Sequence, residues 1–160
     1  MEKQVTERSA VLLFLTRCNN GEDEILLQLR QNTKYGNGKW DLAATGHVEP
    51  GESMKMALVR EAKEEIGIEI DMKDIQFLTL MHVYTPATCK IYYNAYFAVN
   101  TYKNIPIINE REKCGALEWF SIKRLPTNIL EDRRQAIYNI LSHDNYGEVG
   151  WTREMEYAII

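Results

Sequence analysis

A cluster of glutamates within a helix-forming segment constrains this chain more than any other feature. Residues 53–66 repeat apolar side chains at every fourth position, Met54, Leu58, Ala62 and Ile66, which makes one stripe along a helix. Ser53 suits an N-cap after Pro50-Gly51-Glu52, and Gly67 suits the stop at the other end. At about 100° per residue, Glu61 and Glu65 fall at the edge of the stripe, with Glu64 a little further round. Like charges at these spacings repel by roughly a few tenths of a kcal/mol per pair in water. Burial raises that cost. Two readings stay open for the helix alone. A solvated acidic face is the ordinary meaning of such a run. The other is a site for Mg²⁺ or Mn²⁺, which take hard oxygen ligands. Arg60, four residues before Glu64, is placed to brace it.

The residues before the helix shift the balance. Gly46-His47-Val48-Glu49-Pro50-Gly51-Glu52 puts two glycines and two acids in a tight loop that opens the same helix. Glycine lets a backbone come close to a ligand or take positive φ. Loop and helix together point to a site built around a metal–phosphate complex.

The remaining sequence reads as a globular frame for that site. At 160 residues and 45% hydrophobic content, one domain with a real core is expected, spanning 1–160 with its centre at about 8–142. Residues 9–16 are a short apolar strand, Asn19–Asp23 a turn, and 24–30 a second strand expected to pair with the first as a hairpin. Residues 31–39 form a polar loop, and a short strand follows from Trp40 towards Gly46. Two long strands are expected at 75–85 and 89–99, and a short one at 117–120. A second amphipathic helix covers 130–142, with Ile129, Arg133, Ile137 and Leu141 marking its rows. Strands, helix, strands, helix predicts an α/β chain whose sheet is covered by helices.

Charge and cysteines narrow the setting. The net charge of -4 argues against a uniformly basic nucleic-acid surface, so no nucleic acid is expected as partner. Cys18, Cys89 and Cys114 have no CxxC spacing and fit a reducing compartment. The first ten residues lack the apolar stretch of a signal peptide, and no run is long enough to span a bilayer. A cytoplasmic protein without a membrane partner is the expectation.

Gly46, Glu52, Arg60-Glu61, Ala62, Glu64-Glu65, Gly67 and Ile68 stand at all the spacings of the Nudix box, and the chain closely resembles that superfamily. Ala62 is smaller than the usual aliphatic residue there but keeps the position apolar. Asn109–Cys114 and the following Leu117–Phe120 resemble a Glu-Lys-Cys segment and a Trp-bearing strand of MutT-like nucleotide pyrophosphohydrolases. The resemblance implies an α/β/α sandwich with a mixed sheet between helices. It implies hydrolysis of a nucleoside diphosphate linked to another group, with Mg²⁺ or Mn²⁺ as cofactor. Carried over, Glu61, Glu64, Glu65 and the Gly46 carbonyl would hold the ions, while Arg60 would orient the glutamates. Glu52, Gly51 and Gly67 would support the loop–helix junction. The general base would be Glu61 or a later-loop acid, best matched by Glu112, with Glu110 and Glu118 in reserve.

Outside the box, Arg30 is a candidate phosphate contact at a strand end, against an ordinary surface arginine. His47 is a candidate substrate contact, against a structural role in its loop. Tyr84, Tyr92, Tyr93 and Tyr96 could stack on a base but suit packing better, as does Trp151. A nucleoside triphosphate, modified or not, giving a monophosphate and pyrophosphate, is the expected small-molecule substrate. ADP-ribose or another sugar nucleotide is the alternative, and a nucleotide-binding regulator without catalysis a further one. An isopentenyl diphosphate isomerase has an altered box, which the complete box here opposes. RNA decapping fits an acidic chain poorly. A homodimer is the expected assembly from the resemblance.

Overall fold

The computed structural model describes residues 5–151. Among the described residues, nine strands and two α-helices form two sheets and their covers. The strands are β1 (Thr6–Leu13), β2 (Thr16–Asn19), β3 (Glu22–Arg30), β4 (Trp40–Leu42), β5 (Ala44–His47), β6 (Ile75–Thr85), β7 (Lys90–Val99), β8 (Cys114–Ser121) and β9 (Tyr146–Val149). The helices are α1 (Met54–Ile66) and α2 (Glu131–Leu141). The larger sheet has the order β5-β1-β7-β6-β9 and is mixed, because β1–β7 and β6–β9 are parallel. The second sheet is antiparallel and centres on β3, which pairs with β2, β4 and β8.

Alternation along β1 explains its unbroken apolar run. Val11 and Leu13 enter a core shared with Leu58, Ala62 and Ile66 of α1. Leu12 and Phe14 enter a second core shared with Ala136 and Ile137 of α2. A strand buried on both faces cannot show the polar alternation of a half-exposed one. The expected sandwich of sheet and helices is therefore present.

The predicted hairpin is corrected. The 9–16 run divides between two sheets and does not pair as a whole with β3. Phe14 N donates to Phe97 O at 2.8 Å, continuing the larger sheet, while Leu15 O accepts from Leu26 N at 2.9 Å in the second. The hairpin partner of β3 is β2, turned at Asn20 and Gly21 with φ of 50° and 77°. Two positive φ values in a two-residue turn match the right-handed twist of the flanking strands. The single strand expected from Trp40 also splits at Ala43, giving β4 to one sheet and β5 to the other. β8 is longer than expected, and β9 was unforeseen because its polar, glycine-containing stretch has no strand pattern. Leu141 is exposed, so it does not belong to the buried row of α2.

Arg133 does belong to that row, and it is buried. Its Nε donates to Asp41 Oδ1 at 2.8 Å, tying α2 to β4. Arg30 Nη1 donates to Asp41 Oδ2 at 3.0 Å, and Leu42 N to Oδ1 at 2.7 Å. Burial pushes the Asp41 carboxyl upward, but the Arg133 and Arg30 guanidinia outweigh it and hold it below its usual range. No helix among the described residues is long and apolar enough to cross a membrane. Asp41→Ala strands two guanidinia in or beside the core and should cost about 3–5 kcal/mol, read by urea unfolding at pH 7. A loss below about 1 kcal/mol would show that the pairing is not structural.

Candidate active site

α1 begins and ends as its residues dictate. Ser53 Oγ accepts from Met56 N at 3.2 Å, and Gly67 takes φ of 71° while donating back to Lys63 O. Before the helix, Gly51 turns the chain with φ of 81°. Glu52 then folds back, its Oε2 accepting from Glu49 N at 3.0 Å.

Arg60 gathers the acids of the box. Its Nε and Nη2 donate to the two oxygens of Glu52 at 2.8 and 3.0 Å, a bidentate pair. Its Nη1 donates to Glu61 Oε1 at 2.7 Å and to Glu64 Oε2 at 3.3 Å, and Nη2 reaches His47 O at 3.1 Å. Hydrogen bonds from Arg60 take the Glu52 carboxyl down to about 2. Arg60 itself is held more firmly protonated by Glu52 and Glu61.

Glu61 and Glu65 lie on the inner side of this arc. Burial raises the Glu61 carboxyl, with Arg60 working against it. Glu65 is buried further and is pushed up to about 8, opposed by hydrogen bonds from Gln28 and Thr45. Gly46 on β5 faces Glu61 so closely that a Cβ there would sit 2.0 Å from the carboxyl carbon. Glycine at 46 therefore serves close approach, whereas at 51 and 67 it serves positive φ.

Gly46, Arg60, Glu61, Glu64 and Glu65 line one cavity of about 710 Å³. That volume is in the usual range for a small-molecule site. Tyr92, Asn94, Val83 and Leu12 also line it, as do Arg30, Tyr35, Asp132 and Arg133. His47 lines it with its ring stacked on Tyr92 at 5.8 Å, and burial, then Arg8 and Lys90, lower its pKa. The His47 ring therefore favours its neutral form more than an ordinary histidine does.

The structure does not bring every candidate to the cavity. Glu112 is exposed and absent from the wall, which Glu110 joins instead. Glu118 is exposed on β8. Arg30 reaches the cavity but is occupied by Asp41 and by Tyr35 O at 2.9 Å. Among the four candidate tyrosines, Tyr84, Tyr92, Tyr93 and Tyr96, only Tyr92 lines the cavity; Tyr96 is sealed in the core. Trp151 packs on His82 and Tyr84 and donates to His82 O at 3.0 Å.

Sequence reading missed Gln28, Asp132 and Arg133 as cavity residues. Arg133 had a signal, a charge within an apolar helix row. Gln28 had none, because its partners come from β4, the β4–β5 step and α1.

Among the described residues, no three acidic, histidine or cysteine side chains stand as a ready-made ligand cluster. The donor set still fits a hard divalent ion. It is all carboxylate oxygen, two of its members resist charging through burial, and Gly46 leaves the room that Glu61 fills. One consequence is testable without any metal. Folded Glu65 keeps its proton up to about 8, whereas an unfolded glutamate releases it near 4.5. The folded state thus binds more protons between these values, so its stability falls as pH rises through the window. In EDTA, urea unfolding of Glu65→Gln should lose this slope. Parallel curves for wild type and variant would show that folded Glu65 titrates normally.

The comparisons with known proteins agree with this geometry. A Caenorhabditis elegans protein named nudix hydrolase 1 is 31% identical over 115 residues, covering 72% of this chain and 29% of that protein. The NAD-capped RNA hydrolase NudC of Pseudomonas fluorescens is 31% identical over 117 residues, covering 73% of this chain and 37% of that one. The chain spans about a third of the length of the curated relatives it matches. In fold, it is similar to a MutT NUDIX hydrolase of Burkholderia pseudomallei, with a TM-score of 0.74 and 24% identity over 84% of this chain and 98% of that one. The NUDIX domain model matches residues 6–140, the stretch that carries the glutamate helix, its glycine loop and the cavity they line, and the chain belongs to the Nudix family.

Proposed function

We propose that the chain hydrolyses a phosphoanhydride bond in a nucleoside diphosphate linked to a second group, using Mg²⁺ or Mn²⁺. One observation carries this reading. Glu61 and Glu65 project from α1 into the cavity beside Gly46, buried enough to resist charging. Carboxylates so placed are relieved by a cation. A divalent ion held by Glu61, Glu64 and Glu65 would neutralise phosphate oxygens and lower the pKa of a water it binds.

The chain's own groups supply the rest. Arg60 fixes the three-dimensional arrangement of Glu61 and Glu64. Glu110, on the cavity wall and close enough to Glu61 to raise its pKa, is the later-loop acid best placed to accept a proton. Tyr92 offers a ring face for a base or ribose. Lys34, Lys90 and Lys113 line the cavity, and none is in an ion pair among the described residues. Three uncommitted cations favour a substrate with charge beyond the diphosphate. A nucleoside triphosphate, modified or not, meets that requirement and would leave as monophosphate and pyrophosphate.

A second reading is a dinucleotide pyrophosphate such as NAD, favoured by the similarity to NudC over 117 residues. A panel of canonical and oxidised deoxynucleoside triphosphates, ADP-ribose, NADH and dinucleoside polyphosphates separates the two. Preferential release of pyrophosphate from triphosphates supports the first, and preference for NADH or ADP-ribose overturns it. On the best substrate, Glu64→Gln and Glu65→Gln should each lower kcat by at least about a hundredfold. Unchanged turnover in both would remove the metal assignment. Glu110→Gln should lower kcat by about 10²–10⁴-fold, with Glu112→Gln near wild type. The reverse ranking would return the base to Glu112.

A further inference from the structure

We propose that Gln28 is a positioning residue that presents the Glu65 carboxylate to a divalent cation and so sets the affinity of the site. The proposal rests on the reading that the box glutamates hold that ion.

The geometry begins at Glu65 Oε2. It accepts from Gln28 Nε2 at 2.8 Å and from Thr45 N at 3.2 Å. Among the described residues no donor reaches Oε1. One oxygen is thus anchored and its partner left free. Gln28 is the side-chain donor in this arrangement, and it is itself only 8% exposed.

Gln28 has little freedom to be elsewhere. Its Nε2 also lies 3.0 Å from Leu42 O and 3.3 Å from Ala43 O. An amide nitrogen carries two hydrogens. One serves Glu65, and the other is shared by the two carbonyls where the chain steps from β4 to β5. Below it, β3 is paired on both edges, Gln28 opposite Asp41 on one side and Leu117 on the other. The amide is therefore fixed by main chain on two fronts.

The choice of a neutral donor also matters. Glu61 and Glu64 are held by the Arg60 guanidinium, whose charge competes with a metal ion for theirs. Gln28 orients Glu65 without neutralising it. Groups that hold a metal's ligands from behind typically contribute about 10–100-fold to affinity.

The test is calorimetric titration of Mn²⁺ into wild type, Gln28→Met, Glu65→Gln and the double variant. Gln28→Met keeps the length of the side chain and removes both N–H donors. Its Mn²⁺ affinity should fall about 10–100-fold, and the double variant should bind as Glu65→Gln does. In turnover, the Mn²⁺ concentration for half-activation should rise by the same factor, while saturating Mn²⁺ restores most of kcat. A purely structural role would instead lower the metal-free melting temperature without this shift. If Gln28→Met does not fold, Gln28→Asn keeps an amide but falls one methylene short of Glu65, and the same weakening is expected. Wild-type affinity in the folded variant, or additive losses in the double variant, overturns the proposal. Equal Mn²⁺ binding by wild type and Glu65→Gln, or none by either, overturns the metal reading beneath it.

Discussion

The guanidinium of Arg60 is the interaction on which the site depends. It neutralises a helix face that would otherwise repel itself, and it does so from within the same helix. The bidentate pair with Glu52 fastens the loop to α1, and the bond to His47 O fastens β5's end to both. With loop and helix locked, Gly46 can sit where a single added carbon would collide with Glu61. The cavity wall follows from that closeness. An arginine suits this task better than a lysine, because its planar fork serves several acceptors from one position.

Asp41 anchors another part of the same cavity, by a different solution. Here one buried carboxylate holds two guanidinia, that of Arg133 buried and that of Arg30 reaching the cavity. Such a buried pairing is costly to break but contributes modestly to net stability, since desolvation offsets the attraction. What it does provide is placement: β3, β4 and α2 meet at this point. It also changes the reading of Arg30. A guanidinium already shared between Asp41 and the Tyr35 carbonyl is a poor free phosphate clamp, whereas the cavity lysines carry uncommitted charge.

Local features of this chain were legible in its sequence, and non-local ones were not. The limits of α1, its caps and the glutamate arc follow from residues within a turn or two of each other. The two-sheet division does not. The run at residues 9–16 reads as one strand because hydrophobic pattern reports burial, not which neighbour supplies the hydrogen bonds. The step at Phe14–Leu15 becomes visible only when Phe97 and Leu26 claim adjacent residues. The same reason separates Glu110 from Glu112: both are acids of one loop, and only the path of the chain decides which turns inward. Gln28 lay inside an unremarkable strand, and its meaning depends on α1 arriving above it.

The three box glutamates share a pattern that no single one reveals. Glu61 uses Oε1 for Arg60, Glu64 uses Oε2 for Arg60, and Glu65 uses Oε2 for Gln28 and Thr45. Each is held by one oxygen, and among the described residues its other oxygen takes no hydrogen bond. An ion could therefore be bound without displacing any of these donors. A long side chain that must be ordered on binding forfeits about 1.5–2 kcal/mol of rotamer entropy. Anchoring one oxygen in advance removes much of that cost from the binding step. Arg60 and Gln28 then differ in only one respect, the charge they leave behind. Glu61 and Glu64 are held by a cation and Glu65 by a neutral amide, so an ion at Glu65 would displace a proton rather than compete with a guanidinium.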